Sequence, residues 1–126
     1  MTRARASARA TPLTAGDKAY ARTFTRLQVA AAVWTLWKRR SQEKGWDQQW
    51  LADRLGRDKS RVSRLLNSPG NWTMDTVADL IEAMGARLCD IELVPYEEIV
   101  DAPRRPAPPS IAHLVRPPAA TRRAAG

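Results

Sequence analysis

Cysteine occurs once in this chain, at Cys89, and histidine once, at His113. A single cysteine excludes an internal disulfide framework and any zinc site built on cysteine pairs. His113 has no second ligand near it in the sequence, which makes it a poor start for a metal site. A Gly-rich phosphate loop is also missing, so little is left for nucleophilic or phosphoryl chemistry. Asp47 and Asp53 lie close together but read as a helix cap and an exposed helix residue, not as an acid–base pair. The expectation is a protein that is not an enzyme and carries no cofactor. There is no run of about 18 apolar residues to span a membrane, and no apolar stretch follows the basic N-terminus as in a secretory leader. With no redox constraint visible, a soluble protein of the reducing cytoplasm is expected.

What is present is basic charge and tryptophan. The 126 residues include 21 Lys and Arg against 13 Asp and Glu, a formal net charge of +8, and the sequence pI is near 10.8. That balance suits a nucleic-acid binder, though a solvated basic surface with basic tails has the same sum. The charges are also segregated. Residues 1–40 hold nine Lys or Arg and one acid, Asp17, whereas Asp90, Glu92, Glu97, Glu98 and Asp101 stand without a base between them. Five Trp outnumber one Phe and two Tyr, and an indole calls for burial or an interface. The length fits one domain with a modest core.

Along the chain, residues 1–13 form an Arg/Ala/Ser-rich arm expected to be disordered. It is either an arm for a DNA minor groove or a solvated tail. Residues 14–95 carry the fold, expected to be mainly α with about four helices and one C-terminal β-strand. Leu27, Ala30, Ala31, Val33, Trp34 and Trp37 recur at three- and four-residue steps and predict a first helix ending at Lys44–Gly45, with Thr14, Thr23 and Thr25 as alternative caps. Asp47 caps a second helix over residues 48–55, with Trp46 as an apolar staple on Leu51. Gly56 makes the turn and Asp58 caps a third helix over 59–67, with Val62, Leu65 and Leu66 inward. Residues 68–73 are a loop, and Thr73 caps a fourth helix over 74–84 that stops at Gly85.

After Gly85 the apolar period changes from 3.6 to 2. Cys89, Ile91 and Leu93 fall on one face of the expected strand and Leu88, Asp90, Glu92 and Val94 on the other. A lone strand needs a paired edge, which antiparallel pairing with a second copy would supply; the alternative is an unpaired surface segment. Residues 96–126 form a Pro/Arg/Ala-rich tail, disordered by composition apart from a helical turn near 96–100. Ile111, Leu114 and Val115 interrupt it as an apolar island, either a partner-docking motif or an incidental patch.

Residues 46–85 resemble the Cro/C1-type (XRE) helix-turn-helix family. Trp46 takes the apolar position before the scaffold helix, Gln48 the common Gln at its start, and Leu51-Ala52 and Leu55-Gly56 the paired motifs at its core and turn. Ser60, Val62 and Ser63 follow the family's Ser-x-x-Ser pattern, and residues 73–85 match the closing helix. Three positions depart from the pattern: Arg57 in the turn, Trp50 on the scaffold helix and Arg40 on the first helix. The expected strand also stands where many members have a fifth helix.

The resemblance implies a lambda-repressor-like domain and roles for its residues. Gln48 would hold phosphate, and Lys59, Ser60 and Arg64 would reach base edges in the major groove. Arg61, Ser63 and Asn67 would contact bases or backbone, and Asn71 and Trp72 would touch phosphate. Specific binding then implies a homodimer on half-sites about 10 bp apart. The expected function is a sequence-specific DNA-binding transcriptional regulator, a dimeric repressor of its own promoter. The alternatives are the antitoxin of a toxin–antitoxin pair, with residues 87–126 binding the toxin, and a DNA-binding accessory protein without operator specificity.

Overall fold

A computed structural model of the protein describes residues 9–100 and 105–115. Most of the expected arm, residues 1–8, and residues 101–104 and 116–126 of the expected tail lie outside the described residues. The fold is mainly helical: α1 is Ala15–Lys44, α2 Gln48–Leu55, α3 Lys59–Leu66, α4 Met74–Ala83 and α5 the single turn Ala112–Val115.

Caps set the helix boundaries. Of the three threonines, Thr14 starts α1: its hydroxyl accepts from the Asp17 N–H and the Asp17 carboxylate accepts from the Thr14 N–H, both at 3.0 Å. This reciprocal box satisfies two donors that a helix start leaves open. Asp47, Asp58 and Thr73 accept from Trp50, Arg61 and Thr76 at the starts of α2, α3 and α4. Gly45 and Gly56 end α1 and α2 at φ 73 and φ 68, a left-handed conformation in which a Cβ would be strained. The third helix stops one residue earlier than its apolar pattern predicts, with Asn67 as its cap.

One core joins α1 to α4. Ala30, Val33, Trp34 and Trp37 form the buried stripe of α1. They meet Leu51 and Ala52 of α2, Val62 and Leu66 of α3, and Val77, Leu80 and Met84 from α4 and its end. The Arg54 guanidinium ties α2 to the C-terminal end of α4, where Nε donates to the Ala83 carbonyl at 3.0 Å. A cation there offsets the negative helix end.

Trp46 is half-buried and packs against the core that contains Leu51. Its ring stacks on Trp50 at 3.7 Å between centroids and 6° between planes, and on Trp37 at 6.5 Å. Arg40 lies over the Trp46 ring at 5.2 Å and Arg54 over Trp50 at 5.9 Å. Arg40 and Trp50, both departures from the family pattern, therefore belong to one stack around Trp46. In each contact a flat indole offers the guanidinium an electron-rich face.

Beyond Gly85 the expected strand is not formed in the single chain. Residues 88–94 have no ladder, and Asp90 at φ 56 breaks the extended run. A ladder needs a neighbouring edge, and none is offered among the described residues. The expected turn appears as a 3₁₀ turn at Tyr96–Glu98.

The tail also differs from expectation. Residues 105–115 fold back on α1: the Tyr20 hydroxyl donates to the Pro106 carbonyl at 2.6 Å, Arg105 pairs with Asp17 at 2.6 Å, and Ile111 is buried with the core. Leu114 and Val115 pack against the same core. The apolar island is thus a piece of the domain's own packing. Composition reports average solvation and does not register three apolar side chains that find a distant helix.

Candidate nucleic-acid interface

The third helix is the most sharply two-sided element of the chain. Val62 and Leu66 are buried and Leu65 is half-buried, whereas Lys59, Ser60, Arg61, Arg64 and Asn67 are exposed and Ser63 is half-buried. Helical periodicity puts the first group toward α2 and leaves the second to solvent. Arg57 in the preceding turn, Arg61 and Arg64 converge with Leu65 on an open hollow of about 340 Å³. Neither Lys59 nor any of these three arginines is held in an ion pair among the described residues. Arg57 reads in the sequence only as an oddity of the turn, and it is the fold of the turn, not helical spacing, that brings it beside Arg61 and Arg64.

Asp58 organises the start of this helix. One carboxylate oxygen accepts from the Arg61 N–H and from the Ser60 hydroxyl, each at 2.8 Å. The backbone bond from Arg61, the bond from Ser60 and the nearby charges of Arg61 and Arg64 hold its carboxyl below the usual carboxylate range. An ionised Asp58 orients Ser60 and places one negative charge at the end of a strongly basic surface.

The other residues singled out by sequence fall into four groups. Gln48 occupies the first position of α2 and is half-buried. Asn67 and Asn71 are exposed, with the Asn67 amide donating to the Ser63 carbonyl at 2.9 Å. Trp72 is a correction. It is 8% exposed, and its indole N–H donates to the Leu65 carbonyl at 2.8 Å. Its only donor is used inside the fold, so it braces α3 from behind and does not touch phosphate. Cys89, Ile91 and Leu93, the expected dimer contacts, are all exposed on residues 88–94.

Among the described residues no helix is long and apolar enough to cross a membrane, and no group of three or more His, Cys, Asp or Glu could hold a metal ion. Comparison with models of protein families, with curated proteins and with solved structures gives no match.

Proposed function

We propose that the protein is a sequence-specific DNA-binding transcriptional regulator of the cytoplasm, with α2 and α3 acting as a lambda-repressor-like helix-turn-helix. The third helix enters the major groove. The observation that carries this reading is the convergence of Arg57 from the turn with Arg61 and Arg64, exposed and in no ion pair among the described residues, on the outer side of a helix whose other side is locked in the core. A guanidinium can bind guanine O6 and N7 with two parallel hydrogen bonds, and a rigid helix fixes where it does so. Arg64 is assigned to base reading. Lys59, Arg61 and Arg57 are assigned to base or phosphate contacts, and Gln48 to phosphate at the start of α2.

One helix of this length reads only a few base pairs, so the regulator is expected to act as a pair on two half-sites. The antitoxin alternative placed a toxin on residues 87–126. The packing of Ile111 against the core withdraws the apolar island from such a partner, which leaves this alternative less to stand on.

The test is selection of bound duplexes from a random pool. The expected outcome is a recovered motif with two related halves, and affinity falling steeply as salt rises. Recovery of no motif would reduce the protein to a non-specific binder.

A further inference from the structure

The fourth helix carries an apolar stripe whose rim, Met74 and Ala78 with half-buried Ile81, is left open by the described residues while Val77 forms its buried floor. Met74, Val77, Ala78 and Ile81 line, with Leu88, a groove of about 250 Å³. Met74 and Val77 also border a second hollow of about 270 Å³, whose other walls include Val29, Trp72 and Arg26. Sharing two residues, the hollows make one trough along α4. Met74 is 73% exposed at its centre. The chain then leaves α4 as residues 88–94, where Ile91 is 70% and Leu93 89% exposed. Apolar surface concentrated in this way marks an interaction site.

We propose that the trough is the seat of residues 88–94 of a second copy, the two chains exchanging these segments about a two-fold axis. Trough and segment lie on the same chain, so reciprocal seating closes the assembly at two copies and leaves neither half over. The charges are complementary. The segment carries Asp90 and Glu92, and no Lys or Arg occurs between residues 88 and 103. Arg26 and Arg87 stand on the trough walls against one acid, Glu82, and Lys18 and Arg22 precede Arg26 at four-residue steps on the exposed side of α1, so bases outnumber acids around the trough.

The lengths also agree. Seven residues span at most roughly 23 Å, a reach that Asp90 at φ 56 shortens, and the ten residues of α4 rise about 15 Å with the second hollow beyond them. Asp90 at φ 56 interrupts a flat ladder, which favours seating in a trough over edge-to-edge strand pairing. The contact uses no residue of α3, so this inference and the DNA-reading assignment stand or fall separately.

The experiment uses the full chain with Cys89→Ser and two exposed positions changed, Ala78→Cys and Leu93→Cys. Sedimentation equilibrium is expected to give a dimer, and mild oxidation a disulfide between chains. Mixing singly substituted A78C and L93C chains is expected to link the two kinds to each other. Leu93→Asp, at a side chain almost wholly in solvent, is expected to weaken association by about tenfold or more with helical circular dichroism unchanged. A monomeric chain, a disulfide confined to one chain, or association indifferent to Leu93→Asp would each overturn the proposal. So would an unsubstituted dimer that links Cys89 to Cys89 while A78C and L93C chains stay unlinked.

Discussion

At the scale of single residues, the two most instructive side chains are a pair of buried tryptophans with opposite polar accounts. The Trp72 indole N–H reaches the Leu65 carbonyl, whereas the Trp34 Nε1 is buried without a hydrogen-bond partner among the described residues. Both lose ring volume on substitution by Phe, but only Trp72 also loses a buried bond. Trp72→Phe is expected to cost about 1–3 kcal/mol beyond the loss of volume. Trp34→Phe is expected to cost less, since it also removes an unsatisfied donor. Urea midpoints of the two variants check the order. A Trp34 variant the weaker of the two would contradict it.

Asp17 and Asp58 give the acid response. The Thr14 backbone bond, then Arg105 and the Thr14 hydroxyl, hold Asp17 below its ordinary value, and Asp58 is lowered by its own cap bonds. Lowered folded values mean that each carboxylate stabilises the fold above the ordinary value of 3.8 and that this contribution fades as pH falls through the folded value. Acid below about pH 4 is therefore expected to loosen the starts of α1 and α3 first. Amide exchange followed against pH would reveal this. Asp17→Asn should flatten the response at α1 and leave it intact at α3.

At the scale of elements, caps were legible because they are local. Thr14 with Asp17, Asp47 with Gly56, and Asp58 state their helices within a few residues, and the boundaries of α2 follow from them to the residue. What sequence could not show depends on distant partners. The Arg40–Trp46–Trp50 stack joins α1 to α2, Arg54 reaches the end of α4, and Tyr20 meets Pro106 across 86 positions. None has a periodicity, so each read as a departure or as tail. The strand over 88–94 was read from alternation alone, and alternation supplies no partner edge.

The docking of residues 105–115 carries its own expectation. Ile111→Ala should lower stability by about 2 kcal/mol, as a core position at the rim of the domain would. The denaturant midpoint of this variant decides the matter. No change would return residues 105–115 to the status of a free tail.

At the scale of the whole molecule, charge and apolar surface fall on different parts of one fold. The arginines of α3 and its turn form one side of the chemistry, whereas the acids from Asp90 to Glu98 follow α4 with exposed apolar residues among them. A molecule arranged this way can meet an anionic duplex with one surface and a second copy with another, without either contact competing for the same side chains. Salt should then act differently on the two. DNA affinity should fall with a steep logarithmic slope, and Arg57→Ala should reduce that slope by about one if Arg57 touches phosphate. Association between copies, seated mainly on apolar contacts, should respond less.

The central claim is that Arg64 reads a base from a fixed helix. Its most direct measurement is the ratio of affinities for the selected duplex and for a scrambled duplex, for the unsubstituted protein and for Arg64→Ala, at one salt concentration. The expected result is a ratio reduced by ~1–3 kcal/mol of discrimination, about five- to 150-fold, with non-specific affinity little altered and the helical spectrum preserved. An Arg64→Ala protein that binds both duplexes more weakly in equal measure, or discriminates as well as before, would contradict the account.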